Sequence, residues 1–367
     1  MQRPVRWGIL GTGIIAHEFA KGLQALPDAQ LLAVGSRTLT KAQEFAARFH
    51  ASQAYGSYRE LVENAEVDVV YIATPHAYHR EHCLLALQAD KAVLCEKPFT
   101  LNAAEAQEVI TLARQKELFC MEAMWMRFMP AMVRLRELIA HEAIGKIFMV
   151  NASLGFQIPF DAQHRAYNPH LGGGALLDLG VYPLSLVSQL LGMPTSIASH
   201  AQIGATEVDE QAAIILGYAD GAVATLTTSL RTYNPNNAVI MGERGQIEIH
   251  APLYRPNGLT LTHYYAPIAN GQIAKQSVAK LKSIPFVYQN YQRFRRYAAR
   301  LRGDGDTRIA TPYAANGYQY EASEVMRCLR AGAIESATMP LTETYQIMSL
   351  MDTIRAQWHM QYPQEIW

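Results

Sequence analysis

Short runs of consecutive apolar residues alternate with amphipathic stretches through the first third of the chain. Val5–Leu10, 30–36 (QLLAVGS), 67–74 (VDVVYIAT), 91–97 (KAVLCEK) and 118–123 (LFCMEA) read as strands buried on both faces. Between them lie stretches of helical period: 14–26, with Phe19, Leu23 and Leu26 as apolar points, then 40–49, 76–88 and 102–115. Two of these open with capping-box spacing, Thr40 with Gln43 and Asn102 with Glu105. The alternation predicts an α/β fold, a doubly wound parallel sheet with helices on both sides.

The rhythm changes at Trp125. A helix over 129–141 stops at Gly145, a strand covers 146–156, and a helical insert covers 172–191. Six strands then follow in hairpin rhythm, at 196–204, 210–218, 222–230, 238–242, 245–250 and 259–265, with a hairpin turn at Asp220-Gly221. Residues 266–312 are weakly patterned and carry a basic cluster, Arg293, Arg295 and Arg296, read as a solvated face or a loop anchor. Two amphipathic helices, 313–331 and 342–358, close the chain. The expected organisation is a nucleotide-type domain over 1–124 and an α+β domain over 125–367, built on a large, mainly antiparallel sheet that binds substrate.

Composition fits this picture. A chain of 367 residues, half of them hydrophobic and 17% charged, can bury two cores. Lys+Arg and Asp+Glu balance at 32 each, so there is no basic footprint for nucleic acid or a membrane surface. No apolar run approaches the roughly 18 to 20 residues of a spanning helix, and the N-terminus lacks a signal-type apolar region. Cys83, Cys95, Cys120 and Cys328 are scattered and read as reduced, buried thiols. A cytoplasmic protein with a small-molecule substrate is expected.

Gly11-Thr12-Gly13-Ile14-Ile15-Ala16 ends the first strand and opens the first helix. This is the G-x-G-x-x-A turn of a Rossmann dinucleotide site. The first Gly permits the turn, the second lets backbone approach a pyrophosphate, and Ala packs the helix close to the sheet. The helix N-terminus supplies N–H groups and partial positive charge to the phosphates. At the end of the second strand, where NAD enzymes place a carboxylate for the ribose hydroxyls, this chain has Ser36-Arg37-Thr38, with Lys41 one turn on. A hydroxyl and a guanidinium there favour the 2′-phosphate of NADP. Arg37 stacked on the adenine would also admit NAD.

Two further segments carry candidate chemistry. Glu96-Lys97-Pro98 closes a strand whose carboxyl end lies at the nicotinamide half of such a site. Taken alone, a strand-end lysine such as Lys97 is more often a solvated surface residue. The other segment is Gly172-Gly173-Gly174 followed by a run to Leu191 in which Asp178 is the one charged residue. Tyr182, four residues on, shares a helical face with it. The plain alternative is a buried Asp–Tyr pair joining two domains. Read together, Tyr182 takes the proton of an alcohol, Lys97 favours its phenolate, and Asp178 orients Lys97 or the substrate hydroxyl. Trp125, Arg127, Phe128, Phe156 and Phe160 are candidates for the substrate wall. Arg165 is placed to reach cofactor or substrate, or to form a loop salt bridge. His76, His79 and His82 diverge too far around a helix to share a metal ion, so no metal is expected.

The segments WGILGTG (7–13), Glu96-Lys97-Pro98 and GGGALLDLGVY (172–182) resemble the Gfo/Idh/MocA oxidoreductases, in family order and over nearly the whole chain. Many members carry His where this chain has Tyr182. The tyrosine version, with Met124-Trp125-Met126-Arg127-Phe128, resembles NADP-using members. The resemblance implies catalysis by Lys97, Asp178 and Tyr182. It also implies a loop of Thr74, Pro75, His76 and His79 under the nicotinamide ribose, and a homodimer through the C-terminal sheet. The expected activity is reversible, NADP-dependent hydride transfer at a hydroxyl carbon of a sugar or cyclic diol. An NAD-retaining glycosidase of the same family is the alternative enzyme. A non-catalytic nucleotide-binding regulator is disfavoured, since all three catalytic positions are filled.

Overall fold

The computed structural model describes residues 3–264 and 306–365. Its first sheet holds six parallel strands: β1 (Val5–Leu10), β2 (Ala29–Gly35), β3 (Gln53–Tyr55), β4 (Val69–Ile72), β5 (Ala92–Glu96) and β6 (Cys120–Ala123). They lie in the order β3-β2-β1-β4-β5-β6. The central strands β4 and β5 are buried at every position, as expected of apolar runs covered on both faces. The covering helices are α1 (Ile14–Leu23), α2 (Leu39–Phe49), α3 (Tyr58–Val62), α4 (His79–Gln88) and α5 (Ala103–Gln115). Phe19 of α1 stacks on Tyr71 of β4 with ring centroids 3.6 Å apart, and Trp7 tilts against Phe19 at 5.3 Å. Such aromatic pairs add about 0.5–1.5 kcal/mol beyond their burial. Strand order reverses between β1 and β4, and the crevice at their carboxyl ends is where open α/β sheets bind ligands.

Two helix starts separate real caps from coincidental spacing. The Asn102 side chain accepts from the Glu105 amide at 2.9 Å, and Glu105 accepts from the Leu101 amide at 3.1 Å, close to the expected box. The box expected at Thr40 does not form. Helix α2 already begins at Leu39, with Thr38 at the cap position and no side-chain bond. β3 and α3, only 3 and 5 residues long, are too short to impose a period on the sequence.

After α6 (Pro130–Ala140) comes the second sheet, with β7 (Ile147–Gly155), β8 (Ser196–Ile203), β9 (Asp209–Gly217), β10 (Val223–Ser229), β11 (Ala238–Gly242), β12 (Gly245–Ile249), β13 (Gly258–His263) and β14 (Asp306–Ala310). The order is β14-β13-β12-β11-β7-β10-β9-β8, antiparallel except for the β7–β10 pair. The Asp220-Gly221 turn closes the β9–β10 hairpin, with Gly221 at φ +88°. β14 was hidden in the weakly patterned stretch because it is a solvent-facing edge strand, almost wholly exposed. The basic cluster Arg293, Arg295 and Arg296 lies outside the described residues.

One sheet face is covered by α7 (Val181–Leu191) and by α9 (Leu341–Gln357), which also packs on α5 of the first domain; α8 (Tyr318–Arg330) packs on α1. The C-terminal helices therefore clamp the two sheets together. The helical stretch Pro169–Leu191 corrects one expectation, being long and apolar enough by composition to cross a membrane. It is instead mostly buried in the protein, serving as the core helix of the second domain. All four cysteines are free and buried.

Candidate active site

A cleft of about 1510 Å³ runs along the carboxyl ends of β1, β2, β4 and β5 and is closed from the other side by the second domain. At its floor, Gly11 has φ +104°, and a Cβ there would meet the Ala73 carbonyl at 2.7 Å, so only glycine fits. A Cβ on Gly13 would meet nothing within 4 Å. That opening faces the N-terminus of α1, which has neither a side-chain cap nor an acidic first turn. Ile14 is 81% exposed beside it, while Ala16 is fully buried against the sheet. Open backbone, uncapped amides and no competing carboxylate fit a dinucleotide pyrophosphate. Thr12 and Ile15 complete this floor. Ser36, Arg37, Thr38 and Lys41 line the cleft beyond β2, and among the described residues neither Arg37 nor Lys41 is paired with a carboxylate. The same mouth carries His82 and, beside it, Tyr58 and Tyr78, two aromatic neighbours that no motif announced.

The loop after β4 divides its labour. Thr74, Pro75 and His76 line the cleft. His76 meets the Gly172 carbonyl through Nδ1 at 2.9 Å, and burial lowers its pKa to about 3, so the ring is neutral. His79 and Pro98, expected at the cofactor, do not line the cleft. Both ring nitrogens of His79 face carbonyls, those of Pro98 and Thr74, each at 2.8 Å. Two acceptors favour a charged ring, but burial outweighs them and brings its pKa to about 4. His79 fastens the loop after β4 to the turn after β5. Thr74 Oγ1 is also bonded to His82 Nδ1 at 2.9 Å, so the three histidines serve three separate contacts. Among the described residues no cluster of His, Cys, Asp or Glu could hold a metal ion.

Lys97, Asp178 and Tyr182 meet in the cleft. Lys97 Nζ donates to the backbone oxygen of Asp178 at 2.7 Å and to its Oδ1 at 3.1 Å. Arg165 Nη1 donates to the same Oδ1 at 3.1 Å. Burial opposes ionisation of Asp178, yet the ammonium and the guanidinium outweigh it and hold the carboxyl well below the usual range. Asp178 sits in a π-turn, Leu176–Gly180, that runs directly into α7. One turn on, the Tyr182 hydroxyl accepts from Trp125 Nε1 at 2.9 Å. Lys97 Nζ lies over the Tyr182 ring, 4.8 Å from its centroid.

This geometry revises the expected electrostatics. The ammonium faces the ring of Tyr182 and donates to Asp178 rather than to the phenolic oxygen. Burial, with the nearby Glu96 carboxylate adding to it, pushes the phenol well above its ordinary value of 10. Tyr182 rests as the neutral phenol. Glu96 itself is buried, accepting from the Tyr71 hydroxyl and from the Lys97 amide at 3.2 Å; burial raises its pKa.

Of the residues expected at the substrate, Trp125 and Phe156 line the cleft, together with Leu154, Ile158, Tyr254 and Tyr318. Tyr318 stacks on Trp125 at 4.4 Å, and Tyr254 lies 6.0 Å from the Tyr182 ring. Three other candidates are elsewhere. Arg127 is fully buried, bound to Ser185, the Thr338 carbonyl and both oxygens of Glu343, where it ties the Trp125–Phe128 turn to α7 and α9. Phe128 is packed in the core. Phe160 is 58% exposed and edges onto Tyr167, away from the cleft.

Fold and cleft define a dinucleotide-dependent oxidoreductase. Residues 5–124 match the family model described as "Oxidoreductase family, NAD-binding Rossmann fold", and residues 132–248 match the "GFO/IDH/MocA C-terminal domain". The chain belongs to the Gfo/Idh/MocA family. It is 35% identical to mouse trans-1,2-dihydrobenzene-1,2-diol dehydrogenase over 98% of this chain and 99% of that protein. It is 36% identical to D-xylose 1-dehydrogenase (NADP+) of Hypocrea jecorina, over 99% of this chain and 94% of that one. The fold is shared with a 3-ketoreductase from Actinomadura kijaniata solved with NADP (TM-score 0.78, 23% identity, 96% and 98% coverage). It is shared too with an aldose–aldose oxidoreductase from Caulobacter crescentus (TM-score 0.80, 20% identity, 96% and 97% coverage).

Proposed function

We propose that this protein is an NADP-dependent dehydrogenase, reversible as a reductase, acting at a hydroxyl carbon of a sugar or cyclic diol. The observation that carries the reading is the convergence of Lys97 from the first domain with Asp178 and Tyr182 from the second, in the same cleft as the Gly11–Gly13 turn. The named activities of the dihydrodiol and xylose dehydrogenases support the substrate class. Arg37 and Lys41, with no carboxylate at the end of β2, support NADP. Bound there, the nicotinamide would accept or donate the hydride.

The chain's own groups handle the proton. Tyr182 gives its proton to the carbonyl oxygen in reduction and takes the hydroxyl proton in oxidation. Trp125 holds the phenolic oxygen in place. Lys97, pinned by Asp178, keeps positive charge beside the ring and the reacting oxygen, where negative charge develops. Because Tyr182 rests as a neutral phenol, reduction finds its acid ready, and oxidation gains rate as pH rises. The test is a panel of aldoses, inositols and trans-dihydrodiols with NADP and with NAD, read at the nicotinamide absorbance band. Turnover with NAD in preference to NADP would remove the argument from Arg37, and no turnover of any hydroxyl compound would remove the assignment.

We further propose a homodimer through the uncovered face of the second sheet. That face exposes Met149 of β7 and Ile215 of β9, two strands apart with β10 between them, at 39% and 52%. Light scattering that gives the monomer mass would count against it. The free, buried thiols support a reducing, cytoplasmic setting.

A further inference from the structure

Arg165 stands apart from the other charged groups of the cleft. Its loop is clamped by backbone. Gly174 N donates to the Ala166 carbonyl at 2.9 Å, and Gly173 N donates to the Asn168 carbonyl at 3.0 Å. A Cβ on Gly173 would meet that same backbone at 2.9 Å, so the glycine run is what allows the approach. Ala166 and Tyr167 are buried, and the Tyr167 hydroxyl donates to the Ile158 carbonyl at 2.7 Å. The loop is thus anchored on either side of the cleft mouth, and the Arg165 side chain is held at Asp178 by Nη1 alone. Its side chain is 48% exposed and lines the cleft. A guanidinium carries five N–H donors in a fixed fork. Among the described residues, Nε and Nη2 of Arg165 have no protein partner.

We propose that Arg165 is a specificity-determining residue that binds the substrate oxygen adjacent to the one undergoing reaction, so that the enzyme selects vicinal diols and their α-hydroxycarbonyl products. This rests on the proposed dehydrogenase reading. Lys97 and Arg165 share one oxygen of Asp178, which gathers both cationic heads there, and Lys97 in turn lies over the Tyr182 ring. A substrate with its reacting hydroxyl at Tyr182 then brings the neighbouring oxygen toward the free side of the fork. Trp125, Phe156 and Ile158 offer a ring carbon face apolar contact in the same cleft, and Gln163 and His164 line it beside Arg165 as neutral polar neighbours without its charged fork. Arg165 takes no part in the transfer itself. In oxidation the hydroxyl proton would go to Tyr182 in its ionised phenolate form, and the hydride to the oxidised nicotinamide when NADP is bound.

The test compares substrates that differ by that one oxygen: trans-cyclohexane-1,2-diol against cyclohexanol, and D-xylose against 2-deoxy-D-xylose, each with NADP. The wild type should favour the vicinal member of each pair. Arg165→Gln should raise KM for the vicinal member and cut its kcat/KM roughly 10- to 100-fold, the range for losing a hydrogen bond from a charged group. Because Arg165 also holds Asp178, the lone-hydroxyl member loses rate too, but less, so the vicinal-to-lone ratio of kcat/KM should fall while the NADP dissociation constant stays near wild type. Arg165→Lys, which keeps the charge beside Asp178 but lacks the fork, should fall between them. Equal losses on both members, weakened NADP binding with the substrate ratio unchanged, or a wild type indifferent to the second oxygen would each overturn the inference while leaving the dehydrogenase standing. A wild type inactive on every hydroxyl compound would sink the parent reading and this one with it.

Discussion

Replacing Tyr182 with Phe separates chemistry from architecture at this site. The ring is retained, so the Lys97 ammonium keeps its aromatic face, and the bonds of Lys97 to Asp178 are untouched. Only the oxygen is lost, and it has two duties. As the proton carrier it is worth roughly 10² to 10⁴ in rate, about 2.7 to 5.4 kcal/mol at about 1.36 kcal/mol per decade. As the acceptor for Trp125 Nε1, in a position only 6% exposed, it satisfies a buried donor. Leaving that donor unpaired costs about 1–3 kcal/mol of folding stability. The variant should therefore lose kcat by two to four decades, melt at a lower temperature, and bind NADP as the wild type does, since the phosphate cradle at Gly11 and Gly13 is remote from the change. Initial rates at the nicotinamide band, fluorescence titration and thermal denaturation read the three effects separately. A Tyr182→Phe enzyme with wild-type kcat would refute the assignment of the proton carrier.

Arg37→Asp should raise KM for NADP by roughly 10- to 100-fold while sparing NAD, because a carboxylate replaces the cation proposed to face the 2′-phosphate; equal effects on both cofactors would mean that Arg37 only stacks on the adenine. Arg127→Met should cost about 3–5 kcal/mol, the penalty of stranding the partly buried Glu343, without altering KM in the folded fraction; an unchanged denaturation midpoint contradicts the structural role. Asp209 is a buried carboxyl whose pKa burial raises from 3.8 to about 7. The native state keeps a proton that the unfolded chain releases above about pH 4, so stability falls as pH rises from there to about 7, by an amount of about 4 kcal/mol. Asp209→Asn keeps an acceptor for the Leu176 amide and should flatten that slope in melting temperatures taken between pH 4 and 8; an unchanged slope would place the titration elsewhere.

The glycine turn and the residues at the ends of β2, β4 and β5 were legible in the sequence because their placement follows from local rules: a strand, a tight turn, a helix start. Lys97 sits at the edge of the cleft because β5 ends there. Asp178 drew notice because a lone charge in an apolar helix must find a partner, and it finds two. Tyr254 and Tyr318 had no such signal. One follows a strand in an irregular turn and the other opens a helix almost two hundred residues after Trp125, so only tertiary packing brings them to the wall. Arg127 and Phe128 adjoin Trp125 in sequence, but the short turn over Trp125–Phe128 points successive side chains in different directions. One reaches the cleft, one an ion pair, one the core. The Thr40 spacing misled for a simpler reason: Gln43 is three residues away whether or not the helix starts there.

The wide turn at Leu176–Gly180 makes the insert sensitive to length in a way that composition would not reveal. It holds one more residue per turn than the regular helix that follows, and its Asp178 carbonyl is the oxygen that receives the Lys97 ammonium. A residue inserted or deleted there that this winding does not absorb would swing everything downstream by about 100°. The phenol would then leave Trp125 and the Lys97 ammonium. Related chains with an insertion or a deletion in this stretch should accordingly be read as having changed their chemistry, even where every acidic, basic and aromatic side chain of the cleft is still present.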